Sequence, residues 1–331
     1  MRYDIDFDSG ILYPGTTIVD LAEVADESGF DAIWKGESNS HDPMVVLSAM
    51  ATRTRNIKLG TGVYHIFGRS PVTLGIQAAT LQDLSGGRVL LGIGVSNRTL
   101  AAWHGREFDK PVRRLREYAE ITRMVARGER VDYEGETESV KGFKLSWRPS
   151  YPDVPIYFAA LGDQMTKLAG RSADGVMINM ANPAMIRDIV QRVHEGATAA
   201  GRDTSALEVL VKVRVCLHPD REVARARLKH ALAFYSIAEF YRDHLAAMGY
   251  GDEAGAVRKV YEESGFRAAI QAVPDAMLDG LPTIAATSAQ EARELLRPYE
   301  EAGATRIIIP YVCATDDTVT ETRQFLETWG A

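Results

Sequence analysis

Three observations predict an α/β fold closed as a (β/α)8, or TIM, barrel. Eight short apolar runs recur along the 331 residues, and helical patterns with apolar positions three and four apart fill the intervals between them. Most of the runs are continuous rather than alternating, as expected of strands covered on both faces of a parallel sheet. A doubly wound sheet is the alternative arrangement of the same strand-helix succession.

Taken in order, the runs are Asp4 to Leu12, Asp31 to Lys35, Ile57 to Val63, Val89 to Ile93, Ile156 to Ala160, Gly175 to Ile178, Leu207 to Leu217 and Arg306 to Val312. The first helix carries Ile18, Leu21, Ala22 and Ala25, and Thr17 followed by Asp20 predicts a capping box at its start with Asp in the usual Glu place. Later helices show Ile186, Ile189, Val190 and Val193, then Ala292, Leu295, Leu296 and Tyr299. In the third run, Ile57-Lys58-Leu59-Gly60-Thr61-Gly62-Val63, two glycines interrupt the strand where it should be most regular. Such a pair marks either a bend that relieves packing or a place where a ligand approaches the backbone. The sequence leaves both readings open.

Two stretches break the rhythm of what reads as one domain over residues 1–331. After the fourth helix, residues 128–155 hold the β-prone pieces Arg130-Val131-Asp132-Tyr133, Glu138-Ser139-Val140 and Phe143-Lys144-Leu145, separated by Gly135 and Gly142, and read as an inserted hairpin. After the seventh strand, residues 218–283 form a mainly helical excursion with a stripe of Ala231, Phe234, Tyr235, Ile237, Ala238 and Tyr241. The stripe reads as core, with a substrate-facing role as the alternative. An insertion at that point sits over the barrel mouth, where a cap excludes water from a reaction.

Composition bounds the partners. Hydrophobic residues at 46% and charged residues at 25% are ordinary for a globular chain, and a net charge of −7 with no long run of like charges argues against nucleic acid. The start, Met1-Arg2-Tyr3-Asp4-Ile5-Asp6-Phe7-Asp8, lacks the basic and apolar regions of an export signal, and no apolar stretch is long enough to span a membrane. Cys216 and Cys313, each in an apolar run and far from a second thiol, read as core residues of a reducing, cytoplasmic compartment.

In a barrel of this kind, reactive groups come from the carboxyl ends of the strands and the loops that follow. Strand one is followed by Asp6, Asp8 and Tyr13, and strand two ends in Trp34-Lys35-Gly36-Glu37-Ser38-Asn39-Ser40-His41-Asp42, the densest polar cluster of the chain. Strand three supplies Tyr64, His65 and Arg69, strand four Ser96, Asn97, Trp103 and His104, and strand six Asn179 and Asn182. Glu37, His41 and His65 are the candidate proton donors and acceptors. The histidines lack the paired spacing of a metal site, strands four and eight do not end in the facing carboxylates of a glycosidase, and Ser96 does not stand in a G-x-S-x-G elbow. Gly92-Ile93-Gly94-Val95-Ser96-Asn97 starts like a dinucleotide fingerprint, but the third glycine is missing and Trp103-His104 follows in place of an immediate helix. The turn Ala159-Ala160-Leu161-Gly162-Asp163, running into a helix from Met165 to Ala169, offers backbone N–H groups to a phosphate, with Asp163 either repelling the anion or capping the helix.

Trp34-x-x-Glu37, Asp42-Pro43, Ala51-Thr52-x-Thr54, the glycine-broken third run, Arg69-x-Pro71, Leu84-Ser85-Gly86-Gly87-Arg88 and Leu91-Gly92-Ile93-Gly94 together resemble the bacterial luciferase-like flavin monooxygenase superfamily. Within it, the chain is most similar to the branch of deazaflavin-dependent reductases typified by methylenetetrahydromethanopterin reductase. The similarity continues through Pro155-Ile156-Tyr157-Phe158-Ala159-Ala160-x-Gly162 and Ala173-Asp174-Gly175-Val176 and is weakest in the two insertions.

That resemblance implies an oxidoreductase holding the deazaflavin coenzyme F420 at the strand ends and transferring a hydride to or from a small organic substrate. An FMN-dependent monooxygenase using molecular oxygen and a separate flavin reductase is the alternative, and a non-catalytic flavin-binding protein is a third reading. The resemblance also implies a bulge after strand three backing the ring, with a cis bond between Gly62 and Val63. By position, Glu37 lies near the ring, Ser96 and Asn97 make ring or side-chain contacts, and Leu161, Gly162 and Asp163 form the phosphate turn. Thr61, Gly62, Val63, Ala160 and Asn179 complete the implied cofactor set. A homodimer or larger homo-oligomer is implied as well. Two positions depart from the family: Ser38 and Asn39 stand where luciferases carry a His, which points away from light emission, and Leu161 replaces a small polar residue of the phosphate turn.

Overall fold

The computed structural model describes residues 1–7 and 13–330, so Asp8 and the expected continuation of the first strand to Leu12 lie outside the described residues. Eight parallel strands form the centre: β1 (Arg2–Asp6), β2 (Ala32–Lys35), β3 (Lys58–Thr61, resumed at Tyr64–His65), β4 (Val89–Gly94), β5 (Ile156–Ala159), β6 (Gly175–Asn179), β7 (Glu208–Lys212) and β8 (Arg306–Pro310). Each strand pairs with the next, and β1 pairs with β8 from Arg2↔Arg306 to Asp6↔Pro310, so the sheet closes as a TIM barrel.

The continuous apolar runs resolve into two alternating faces. Trp34, Leu90, Tyr157, Met177, Leu210 and Ile308 pack into a cluster built of strand residues, the filled interior of the barrel. Their chain neighbours Ile33, Leu91, Phe158, Ile178, Val211 and Ile307 join the larger cluster against helix residues such as Leu21, Leu47 and Leu74. Burial of each large side chain contributes roughly 1.5–3 kcal/mol. Gly60 exists for this interior, because a Cβ there would lie 2.3 Å from Cε3 of Trp34. Polar groups enter only as partners. Asp4 and Arg306, both inaccessible, pair at 2.8 Å, and Trp34 Nε1 donates to the same carboxylate at 2.8 Å.

The inserted hairpin is present as antiparallel strands Val131–Glu134 and Ser139–Phe143; the expected third piece is only the end of the second strand. The cap contains helices Arg221–Ile237, Gly251–Ser264 and three shorter ones around an apolar cluster of its own, including Leu228, Leu232, Leu245 and Val257.

Four local expectations need correction. The first helix begins at Gly15, with Pro14 as its N-cap and no side-chain cap; Ile18 N already bonds Pro14 O at 3.1 Å, so Thr17 lies inside the helix and cannot form a capping box. The expected strand from Leu207 to Leu217 breaks at Val213, and its second half, Arg214–Leu217, pairs instead with Thr283–Ala286, a strand absent from the sequence reading. A helix does follow Asn97 at once, over Arg98–Trp103, because the Asn97 side chain caps it by accepting from Leu100 N at 3.1 Å. The aromatic stripe is not one core face: Phe234 is exposed, whereas Tyr235 and Tyr241 turn toward the barrel.

Candidate active site

Between Thr61 and Tyr64, β3 leaves the ladder. Gly60 pairs with Leu90 and Tyr64 with Ile93, so β3 carries one residue more than β4 over the same span, a bulge. The Gly62–Val63 peptide bond within it is cis. Its flanks are held from three sides: Gly62 N donates to Lys35 O at 3.0 Å, Glu37 N to Val63 O at 3.1 Å, and Lys212 Nζ to Gly62 O at 2.9 Å.

The bulge forms one wall of a cavity of about 380 Å³ at the carboxyl ends of the strands. Of the cofactor set implied by the resemblance, Gly62, Val63, Ser96, Asn97, Ala160, Leu161, Gly162 and Asn179 line it, together with Val95, Ala159, Met165, Met177, Lys212, Phe240 and Tyr241. Glu37, Thr61 and Asp163 are not among the lining residues. Thr61 is buried behind the wall, where its hydroxyl donates to Gly92 O at 2.7 Å. Ser96 and Met180, after β4 and β6, hold φ of 53° and 55°, left-handed values that non-glycine residues adopt mainly where the surroundings impose them.

Gly162 is the N-cap of helix Asp163–Ser172 and supplies no side-chain cap. The first N–H groups of that helix are therefore left for an anion, and a Cβ on Gly162 would meet nothing within 4 Å. Asp163 neither caps the helix nor lines the cavity. Its carboxylate is mostly exposed and pairs with Lys167 Nζ at 3.0 Å.

Sequence reasoning missed Lys212 and left Tyr241 in a stripe read as core, with a substrate-facing role as the alternative. Lys212 Nζ donates to Asp6 Oδ2 at 2.6 Å as well as to Gly62 O. Its signal in the sequence is a cation set into Val209-Leu210-Val211-Lys212-Val213, an otherwise apolar strand. Asn179 Nδ2 donates to the hydroxyls of Tyr241 and Tyr235 at 2.6 and 3.1 Å, and Arg214 Nη2 donates to Tyr235 at 2.5 Å. This network ties the cap to β6. A second tie runs from His244 Nε2 to Met180 O at 2.5 Å.

The proton-transfer candidates form a separate cluster beside the bulge. The Glu37 carboxylate accepts from Arg69 Nη2 at 2.7 Å and from His65 N at 3.1 Å. His65 Nε2 lies 3.3 Å from Glu37 Oε2 and 3.1 Å from His104 Nε2, while its Nδ1 is buried without a partner among the described residues. Burial holds the His65 pKa below its usual value; Glu37 opposes this, and His104 and Arg69 add to it. A neutral ring with its proton on Nε2 satisfies Glu37 and leaves Nδ1 as a bare acceptor. His41 is partly buried and makes no hydrogen bond or ion pair among the described residues. Asp42 caps the helix Pro43–Arg53 and accepts the Tyr64 hydroxyl at 3.0 Å, Asn182 caps Pro183–Ala199, and Tyr13 bonds Thr322 away from the cavity. Among the described residues, no group of three His, Cys, Asp or Glu is placed to hold a metal ion, and no helix is long and apolar enough to cross a membrane.

A closed parallel barrel whose strand ends surround a cavity, with an acid and an imidazole in contact beside it, defines a barrel enzyme. The sequence profile of the luciferase-like monooxygenase family matches residues 7–306, and the chain belongs to that family. A 5,10-methylenetetrahydromethanopterin reductase of Archaeoglobus fulgidus is 29% identical over 314 residues, 93% of this chain and 92% of the relative. The structure of coenzyme F420-dependent tetrahydromethanopterin reductase from Methanopyrus kandleri superposes with a TM-score of 0.86 at 24% identity, covering 99% of this chain and 97% of that one. An F420-dependent secondary alcohol dehydrogenase in complex with an F420-acetone adduct superposes with a TM-score of 0.77 at 22% identity, covering 99% and 98%. These superpositions establish the fold.

Proposed function

We propose that the chain is an oxidoreductase that binds coenzyme F420 at the strand ends and moves a hydride between it and a small organic substrate admitted beneath the cap. The observation that carries this reading is the pairing, in one cavity, of a bulged backbone wall at Gly62 and Val63 with an uncapped helix start at Gly162. A flat heterocycle fits against the first and a phosphate against the second. A putative coenzyme F420-dependent oxidoreductase of Mycobacterium tuberculosis, 29% identical over 317 residues, supports the choice of F420 over FMN. When bound, the coenzyme supplies the hydride chemistry, and the protein supplies position and electrostatics.

In this reading Gly62 and Val63 back the ring, Ser96, Asn97, Ala160 and Asn179 contact its edges and side chain, and the N–H groups after Leu161 and Gly162 receive the phosphate. Asp163, neutralised by Lys167, does not repel it. Thr61 keeps the wall in place through Gly92. Glu37 and His65, with His41 on the same loop as Glu37, are the proposed proton carriers. A homo-oligomer belongs to the same reading through the family resemblance, and a cytoplasmic location through the two free buried cysteines. Fluorescence titration with F420 and with FMN tests the assignment. Saturable binding of F420 and none of FMN is expected; tight FMN binding with no F420 binding would replace it with the FMN-dependent monooxygenase.

A further inference from the structure

We propose that Lys212 makes the cavity hold the reduced form of its redox guest more tightly than the oxidised form. The inference rests on the reading above for the identity of that guest and adds the part played by one side chain.

Among the described residues, Lys212 is the only charged side chain lining the cavity. It is fixed in place, 12% exposed, with two of its three N–H groups given to Asp6 Oδ2 and Gly62 O at 2.6 and 2.9 Å. The third has no partner among the described residues. Asp6 itself is buried and does not line the cavity, so the ion pair presents its positive end to the guest. The rest of the lining is uncharged, apolar at Val63, Val95, Met165 and Met177 and polar at Ser96, Asn97, Asn179 and Tyr241, so no second charged side chain of the lining offsets the ammonium, and a site shielded from bulk water screens it less than solvent would.

The charge balance of hydride transfer gives this ammonium a direction. The substrate gives up a hydride and is oxidised by two electrons, and its second hydrogen leaves as a proton to a protein base or to water. The guest gains two electrons and one proton, hence one unit of negative charge until a second proton follows. A fixed cation attracts that gained charge and has no comparable attraction for the form that lacks it. Charge near the ring is one of the means by which proteins set cofactor electronics.

The test compares wild type, Lys212→Met and Lys212→Arg by measuring, without oxygen, the Kd of oxidised and of reduced F420. Lys212→Met is expected to weaken the reduced form at least tenfold more than the oxidised form, which for a two-electron couple lowers the bound potential by about 30 mV. Lys212→Arg is expected to keep the wild-type ratio. Equal weakening of both forms, or no change in either, overturns the proposal. Because Met leaves Asp6 without its ammonium, the double variant Asp6→Asn/Lys212→Met is measured alongside and should show the same altered ratio. If wild type binds FMN and not F420, the coenzyme assignment fails by itself, and the same pair of Kd values with FMN decides the role of Lys212.

Discussion

Thr61 and Gly92 are locked together across β3 and β4: the Thr61 hydroxyl donates to Gly92 O at 2.7 Å, and a Cβ on Gly92 would fall 2.1 Å from the Thr61 carbonyl oxygen. Gly92→Ala therefore has to displace the bulge. The expected result is a loss of about 1–3 kcal/mol in urea unfolding, together with loss of coenzyme binding. Gly162→Ala, with open space around the new methyl, should keep the wild-type midpoint and reduce coenzyme affinity alone. Matching midpoints for the two variants would remove the structural role given to Thr61 and Gly92.

The Tyr241 oxygen accepts from Asn179 Nδ2, and its own proton has no acceptor among the described residues. Since Tyr241 lines the cavity, that proton is available to an acceptor on the guest. Tyr241→Phe should weaken binding or turnover by about 0.5–1.5 kcal/mol, roughly two- to tenfold. Thermal melting should barely move, because Tyr235 still holds Asn179. Unchanged Kd and unchanged turnover would show that the hydroxyl points at nothing that matters.

Asp4 carries a pH dependence with a definite sign. Burial pushes its carboxyl from 3.8 up to about 6, despite Arg306 and Trp34. The folded chain therefore binds this proton more tightly than the unfolded chain, so the stabilising contribution is full below about pH 4 and is lost as pH rises toward 6. The span corresponds to a change on the order of 3 kcal/mol. Urea unfolding at several pH values between these limits, compared with Asp4→Asn, isolates it. Parallel stability curves for the two proteins would contradict the assignment.

Glu37→Gln and His65→Gln separate chemistry from binding. Neither residue lines the cavity, so coenzyme Kd should stay close to wild type, while turnover should fall by about 10²–10⁴ if the pair handles the proton. Turnover at the wild-type rate in both variants would transfer that task elsewhere. Stopped-flow absorbance at the coenzyme band distinguishes the outcomes.

The barrel was legible because its strands are apolar on both faces, and most boundaries fall within a residue or two of those the runs predict. The two glycines of the third run were not separable by sequence, since each answers to a different distant group: Gly60 to the Trp34 ring and Gly62 to the cavity. Thr283–Ala286 is not evident from the sequence because a four-residue run after Pro282 with two alanines carries little strand signal without its partner Arg214–Leu217. Lys212 was hidden for the opposite reason, a charge inside a run whose apolar neighbours dominated the pattern. Thr17 and Asp20 spelled a cap, yet Pro14 had already started the helix.

Among the described residues, Phe240 and Tyr241 are the cap's whole contribution to the cavity lining; the others belong to the barrel strands, the loops after them and, at Met165, the first turn of the helix Asp163–Ser172. The cap also departs and returns through adjacent parallel strands, Arg214–Leu217 and Thr283–Ala286. The chain thus enters and leaves the cap along one seam, while Tyr235, Tyr241 and His244 fasten it to the end of β6. Natural selection can rewrite which molecule gives or takes electrons while altering the carrier's seat at two side chains alone, and chimeras spliced at that seam with Phe240 and Tyr241 retained offer the same freedom to an engineer.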